Sequence, residues 1–369
     1  SVGNTVTQVN ADNTTSAVID VALTDVTVTD SGQAYVTTGG DLTVAASRVV
    51  SVVDSVAWLQ AAVDVNLLGA VTAGTGDVPL IATAGSVRDA AGTDTDVTAG
   101  NLVISAANGI GRLADNSVNP LDTSVAQVAA IAGDDGIYLT DSDSLTVTSL
   151  TVAVTYEDSG TQTLASQTLA GMTATTTAPI SAHVGADLVV AADLTTATGP
   201  INLGAARNIS VGAVNVSTGG LITATAGAGL TVADGAAVTS STSNIRLYAV
   251  DDIVITGLNA TAGDVSVITE IGSVLDAGAT ATDVQATGAL FQVLGTATFE
   301  DVTSGGGVGI AAAGSFEVLG DSISITALLD GADYDSVDVV VDASLTSGAA
   351  TATLSGLAGD YTVTVEVRE

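Results

Sequence analysis

The sequence predicts an all-β protein whose central part is a parallel β-helix, a chain wound into stacked coils of short strands. Three observations lead to this prediction. Aromatic residues make up only 3% of the chain, whereas Val and Thr are abundant, so small and β-branched side chains must fill a narrow core. Alternating apolar segments recur about every 21 to 23 residues. A longer block recurs once, at a fixed offset and without a gap.

The short repeat lies in the middle of the chain. Three segments align there, and each has two alternating apolar strands separated by a small or polar break: Pro200–Val211, Leu221–Val232 and Asn244–Ile255. Ile209, Leu230 and Ile253 take equivalent places in this alignment. Alternation turns every second side chain inward, and one coil cannot bury its inner face unless it stacks on its neighbours. The pattern therefore predicts that these three residues lie one above another.

The long repeat indicates a duplication. Residues 75–97 and 262–284 are identical at 13 of 23 positions without a gap, and 263 − 76 gives the offset of 187. The matching segments are Gly76–Val78 with Gly263–Val265, Gly85–Val87 with Gly272–Val274, Asp89–Ala90 with Asp276–Ala277, and Thr95–Val97 with Thr282–Val284. We therefore expect two related blocks of coils, at 75–111 and 262–298.

A resemblance to a known family rests on the turn-and-strand segments between residues 70 and 300. They include Gly76–Gly111, Asn119–Val125, Gly136–Asp141, Ser144–Val147 and a hairpin-like stretch, Leu150–Tyr156, with its turn at Asp158–Gly160. These segments resemble filamentous-haemagglutinin-type repeat proteins. The resemblance implies a right-handed parallel β-helix, secretion, and a place on a bacterial cell surface.

The two ends differ from the coils. We predict an N-terminal β segment at 1–45, a parallel β-helix of roughly 13 coils at 46–320, and a C-terminal β segment at 321–369 that is immunoglobulin-like or a cap. The C-terminal segment contains alternating strands such as Ser322–Thr326 and Tyr361–Val367. The spacing of Val49, Val52, Val56, Leu59 and Val63 also suggests a helix that caps the coils.

Composition excludes several classes of partner and site. The chain has 40 acidic residues against six arginines, and a net charge of −34 repels nucleic acids and anionic lipid surfaces. The absence of cysteine excludes disulfides and thiolate chemistry. Asp54 and Asp64 interrupt the most apolar stretch, so we expect no membrane span.

Candidate catalytic residues give a weak pattern. His183 is the sole histidine, and nothing near it in the sequence indicates a nucleophile or an orienting carboxylate. Acidic groups that could act on a polysaccharide all fall at expected coil corners, where Asp is favoured as a turn former. They are Asp134, Asp135, Asp141, Asp143, Asp251 and Asp252. We therefore expect no enzymatic activity.

The densest acidic loop is the one candidate metal site. Asp330, Asp333, Asp335 and Asp338 supply oxygen ligands of the kind that Ca²⁺ takes, but no EF-hand pattern is present, and a solvated turn is the alternative. The resulting prediction is an extracellular structural or adhesive protein that needs no cofactor and associates with itself, or with other cell-surface components, through terminal strands. The alternative is a protein that binds or cleaves polysaccharides with Asp clusters.

Overall fold

The computed structural model is all-β, with a parallel β-solenoid of about 11 turns and no helix among the described residues. The backbone is described for 25–30, 32–89, 92, 94–112, 117–155, 163–175, 177–277 and 283–293. Beyond these ranges, the structure describes nine strands: Thr5–Val9, Thr15–Ile19, Ala297–Phe299, Val302–Ser304, Val308–Ala312, Phe316–Val318, Ile323–Leu328, Thr351–Ser355 and Asp360–Glu366. The chain forms two compact units: Ser1–Thr140 with Leu150–Leu169, and Asp141–Ser149 with Ala170–Glu369.

The first unit contains five successive coils. Its strands are β1 (Thr5–Val9), β2 (Thr15–Ile19), β3 (Val26–Val28), β4 (Ala34–Thr38), β5 (Leu42–Val44), β6 (Val49–Val52), β7 (Ala57–Ala61), β8 (Val65–Leu67), β9 (Ala70–Thr72), β10 (Asp77–Ala82), β11 (Val87–Asp89), β12 (Val97–Ala106), β13 (Gly109–Ile110), β14 (Leu121–Ala132), β15 (Gly136–Asp141), β17 (Ser149–Thr155) and β18 (Thr163–Ala170). Three parallel ladders run β3-β6-β9-β12-β14, β4-β7-β10-β12-β14 and β5-β8-β11-β13-β15. β1 and β2 form a separate antiparallel pair.

The second unit also consists of coils with three parallel ladders. Its strands are β16 (Leu145–Val147), β19 (Met172–Ala174), β20 (Ile180–Val184), β21 (Leu188–Val190), β22 (Leu194–Thr196), β23 (Ile201–Ala205), β24 (Ile209–Val211), β25 (Asn215–Thr218), β26 (Ile222–Ala226), β27 (Leu230–Val232), β28 (Ala237–Ser240), β29 (Ile245–Ala249), β30 (Ile253–Ile255), β31 (Leu258–Thr269), β32 (Val274–Asp276), β33 (Val284–Val293), β34 (Ala297–Phe299), β35 (Val302–Ser304), β36 (Val308–Ala312), β37 (Phe316–Val318), β38 (Ile323–Leu328), β39 (Thr351–Ser355) and β40 (Asp360–Glu366). The strands β38, β40 and β39 form a separate antiparallel sheet.

The core consists of stacked aliphatic rows. Ile209 pairs with Leu230, and Leu230 pairs with Ile253, which confirms the register predicted from the short repeat. All three side chains are at most 1% exposed. Because one large aliphatic side chain per strand fills each row, a narrow cross-section is filled without aromatic residues.

Buried hydroxyl groups close one corner of the second unit. Thr196 Oγ1 donates to Ala178 O at 2.8 Å, and Thr218 Oγ1 donates to Gly199 O at 2.5 Å. Ser240 Oγ repeats the contact with Gly220 O at 2.7 Å. Each bond joins a coil to a corner carbonyl of the preceding coil, so the row satisfies backbone acceptors that the sharp bend leaves out of the ladders.

The duplicated glycines lie where successive coils approach each other closely. A Cβ atom on Gly76 would collide with the carbonyl oxygen of Ser55, and one on Gly263 would collide with that of Ser243. The two glycines occupy the same place in the two copies of the long repeat, and each precedes the same Asp-Val pair. The repeat therefore records a packing requirement that both blocks share.

A hairpin covers the outer face of the second ladder in the first unit. β17 and β18 form a two-stranded sheet, as the sequence predicted for Leu150–Tyr156. On this face, Tyr35 pairs with Trp58, and Val103 pairs with Ala129. One buried cluster joins the face to the hairpin: Val56, Trp58, Val103, Ala129, Leu150, Val152 and Val154. Trp58 is therefore 2% exposed although its side chain points away from the solenoid core.

Three expectations from the sequence differ from the structure. The suggested helix around Val49–Leu68 is wrong, because β6, β7 and β8 occupy that stretch. Parallel pairing begins at Val26 rather than at residue 46. The solenoid has about 11 turns rather than 13. Some coils are longer than the short repeat suggests, such as the one that pairs Asp77 with Asn101, and the hairpin takes residues that the estimate gave to a coil.

Candidate functional site

The acidic loop proposed for Ca²⁺, with Asp330, Asp333, Asp335 and Asp338, lies outside the described residues. Within the part of the chain that the structure describes, no group of three or more His, Cys, Asp or Glu side chains is arranged to hold a metal ion. The calcium site stays a prediction.

Acidic side chains at the corners before the third ladder accept hydrogen bonds from the next coil. Asp41 Oδ1 accepts the N–H of Asp64 at 3.2 Å, and Asp64 Oδ1 accepts that of Ser86 at 2.8 Å. In the second unit, Asp187 accepts the N–H of Asn208 at 3.1 Å, and Asn208 accepts that of Gly229 at 3.0 Å. These three aspartates therefore have a structural use.

The candidate polysaccharide-acting carboxylates take separate roles. Asp135 lies 3.6 Å from the Arg112 guanidinium, and Asp252 Oδ1 accepts the N–H of Ser273 at 2.7 Å. Asp141 is 1% exposed, and its Oδ1 accepts the N–H of Asp143 at 2.9 Å. Asp134 and Asp251 are exposed at corners. These contacts agree with the interpretation of these residues as turn formers.

A cluster of carboxyl groups that sequence reasoning did not single out lies in the second half of the first copy of the long repeat. Asp89 is fully buried at the end of β11, and Asp96 is 3% exposed just before β12. Asn119 Nδ2 donates to Asp89 Oδ2 at 2.6 Å, and the N–H of Asp122 donates to Asp96 Oδ2 at 3.1 Å. The cluster thus joins three successive coils of the first unit.

The electrostatics of this cluster favour protonation of one member. Burial, followed by the charge of Asp89, raises the pKa of Asp96 from 3.8 to about 8, and the charges of Asp122 and Asp94 add to this effect. Burial and then Asp89 also raise the pKa of Asp122. Since one carboxyl is held protonated near neutral pH, the cluster can exchange a proton in the physiological range.

A second candidate surface lies on the outward face of β20, β23, β26 and β29, together with Glu270. We call it the polar strip. Its members are His183, Asn202, Thr223, Arg246, Tyr248 and Glu270. The Arg246 guanidinium lies 5.6 Å from the centre of the Tyr248 ring, and the Tyr248 hydroxyl donates to Glu270. That hydrogen bond is the main cause that raises the pKa of Tyr248.

The rest of the polar strip is linked by side-chain hydrogen bonds. Asn202 Nδ2 lies 3.2 Å from His183 Nε2, and Thr223 Oγ1 donates to Asn202 Oδ1 at 3.0 Å. His183 is exposed on this face. The strip therefore presents planar polar groups beside an aromatic ring on a flat sheet face.

The register explains why the sequence did not reveal either feature. In the sequence, Asp89 and Asp96 are noticeable only as residues that recur in the long repeat. The polar strip draws one or two residues from each of several coils, so its members are scattered along the chain. The available signal was the spacing of Asn202 and Thr223, which equals one short repeat and places them in adjacent coils.

Comparisons with known proteins identify no relative. Searches against family models, curated proteins and solved structures found no match. No helix among the described residues is long and apolar enough to cross a membrane. The parallel β-solenoid is compatible with a β-helix repeat protein, whereas membership of the filamentous-haemagglutinin-type family stays a prediction.

Proposed function

We propose that this chain is an extracellular structural or adhesive protein of a bacterial cell surface, a fibre or matrix subunit that associates through open strand edges. The β-solenoid fold is consistent with an adhesin. The observation that carries the proposal is the first coil. Among the described residues, β3, β4 and β5 pair only with the coil that follows them. An unpaired edge of this kind is a template for another strand.

The hydrogen bonds of β4 identify the groups on the open edge. Ala34 N–H donates to Val56 O at 2.9 Å, and Thr38 O accepts from Ala62 N–H at 3.1 Å. The even-numbered residues therefore bond to β7. Because alternate residues of a strand direct their backbone groups to opposite sides, Tyr35 and Thr37 present N–H and C=O groups away from the solenoid. Both side chains are exposed.

A proline at Thr37 tests the edge. Thr37→Pro removes an outward N–H without removing a bond to β7, so the coils are expected to stay folded while assembly is lost. Thr37→Ala is the matched control, because it changes the side chain and keeps the N–H. Light scattering and electron microscopy would follow both variants and the unmodified chain in high salt, where the repulsion of like charges is screened. Equal polymerisation of the two variants, or a monomeric unmodified chain, would refute the proposal.

The polar strip supports a second candidate function, polysaccharide binding. Tyr supplies a large contact surface at low cost in conformational entropy, and planar side chains such as those of Asn202 and Arg246 can make paired hydrogen bonds to adjacent hydroxyl groups. The net charge of −34 favours a neutral glycan over an acidic one.

Affinity electrophoresis tests this second function. Gels that contain a neutral glucan should retard the unmodified chain, and Tyr248→Ala should abolish the retardation. Thr231→Ala, on the outward side of β27, is the control and should behave as the unmodified chain does. Equal mobility of all three proteins in gels with and without glucan excludes binding of that glycan. We expect no catalytic turnover in either case.

A further inference from the structure

In two places, a stack of inward-facing side chains from successive coils changes from aliphatic residues to an aspartate. In the first unit, the row runs from Val44 to Leu67 to Asp89, as the strand register shows. Leu67 and Asp89 are both fully buried. A carboxyl group thus stands at a position where the two preceding coils place aliphatic side chains.

The second unit repeats the substitution. There, Val232 and Ile255 are buried, and Ile255 pairs with Asp276, which continues the inward row. Asp276 is the counterpart of Asp89 in the long repeat, because 276 − 89 equals the offset of the two blocks. Both copies of the duplication therefore keep an acid at this register position, where it is fully buried in the first unit and half-buried in the second.

Each inward acid has a companion further along the same corner. Asp96 is 3% exposed, and its equivalent Asp283 is fully buried, with 283 − 96 again giving 187. Asp96 exchanges two hydrogen bonds with Asp122: its N–H donates to Asp122 O at 2.8 Å, and its Oδ2 accepts the Asp122 N–H at 3.1 Å. The companion carboxyl is thus fixed to the next coil.

The charges that act on Asp96 come from acidic groups. Among the described residues, these are Asp89 from β11, Asp94 from the intervening corner, and Asp122 from β14. The nearest base in sequence, Arg88, is directed instead to Asp64, with 2.5 Å between Nη1 and Oδ2. Like charges in a site of low polarity oppose each other's ionisation, so the pair of Asp89 and Asp96 retains a proton.

We propose that Asp89 and Asp96 form a proton-dependent lock that holds the end of β11 to the starts of β12 and β14 while the pair retains one proton. Loss of that proton leaves two buried like charges, which weaken the junction between these coils. The lock does not depend on the proposed surface function.

The direction of the pH effect follows from the thermodynamic linkage between proton binding and folding. The pKa of Asp96 is raised in the folded state, so the folded chain binds more protons than the unfolded chain between about pH 4 and 8. Folding therefore weakens as the pH rises through this window. This single group should increase the equilibrium constant for unfolding by about tenfold per pH unit within it.

Asp96→Asn tests the lock, because asparagine resembles the protonated carboxyl and cannot ionise. Urea unfolding of the full chain would be measured from pH 5 to 8.5. Asp134→Asn is the matched control, since it removes the same charge from an exposed corner. We expect Asp96→Asn to lose the steep pH dependence and Asp134→Asn to retain it. The same slope in both variants would overturn the proposal.

A second measurement covers the case in which Asp96→Asn does not fold. Carbon-13 NMR of the side-chain carboxyl groups in the unmodified chain should show at least one aspartate that titrates above pH 6.5. If every aspartate titrates below pH 6.5, the pair holds no proton at neutral pH and the lock is excluded.

Discussion

The single tryptophan makes the hairpin contact directly measurable. Trp58 is 2% exposed because β17 covers it, and Val152 from β17 is also 2% exposed within the same cluster. Val152→Asp places a carboxylate in this apolar contact. The change forfeits the burial of one valine side chain, about 1.5–3 kcal/mol, and adds the cost of desolvating a charge. We therefore expect the hairpin to separate from the face.

The assay is the emission spectrum of Trp58 with quenching by acrylamide. Val152→Asp should shift the emission to longer wavelength and raise the quenching constant severalfold, while the far-ultraviolet circular dichroism of the coils is retained. Thr151→Asp is the control, because Thr151 is exposed on the opposite face of β17 and receives the same charge. Identical quenching in the two variants would refute the assignment of the hairpin as the cover of Trp58.

Two further changes test how the coils are joined. Thr218→Val removes the bond to Gly199 O and should cost about 1 kcal/mol of the free energy of unfolding in urea, whereas Thr239→Val on the outward side should cost less. An equal loss of unfolding free energy in both variants would show that the Thr218 hydroxyl has no special role. Gly76→Ala should destabilise the chain by several kcal/mol through its clash with the preceding coil, whereas Gly39→Ala has open space and should change stability by less than about 1 kcal/mol. Similar midpoints of urea unfolding for the two alanine variants would contradict the close approach of the preceding coil to Gly76.

The sequence predicts coils well where a five-residue alternating strand is followed by a three-residue one, as β23 is followed by β24. The segments around Ile209, Leu230 and Ile253 can be aligned from the short repeat alone, and the structure pairs them in that register. The fixed offset between Gly76 and Gly263 is equally informative, because a glycine that must admit a neighbouring backbone cannot vary freely.

The first coils were missed for a physical reason. β3 and β5 have three residues each, and β4 between them has Val36 as its one large aliphatic residue, so no alternating apolar run reveals a face. The incorrect helix prediction has a related cause. The alternation of inward and outward side chains starts anew after each corner, so valines from two different ladders have a helix-like spacing in the sequence. Trp58 adds to the confusion, since the hairpin buries a residue on the outer side of its strand.

The buried acids were missed because polarity alone places an aspartate at a turn. Asp89 follows the same Gly-x-Val pattern as an ordinary corner residue. Its inward direction emerges only when its partner Leu67 is known. Register is a property of two coils together, so no single segment of the chain contains that information.

The chain thus uses aspartate in two environments with opposite responses to pH. At an exposed corner, the hydrogen bond from Arg207, and then that from Asn208, lowers the pKa of Asp187, so its contribution to stability is present above pH 4 and is lost as the pH falls. At the inward junction, the raised pKa of Asp96 gives a contribution that declines as the pH rises toward 8. Stability should therefore pass through a maximum near pH 4, where the two limbs meet. Because the two limbs belong to different residues, Asp96→Asn should flatten the alkaline limb and leave the acidic limb unchanged, whereas a general effect of net charge would alter both.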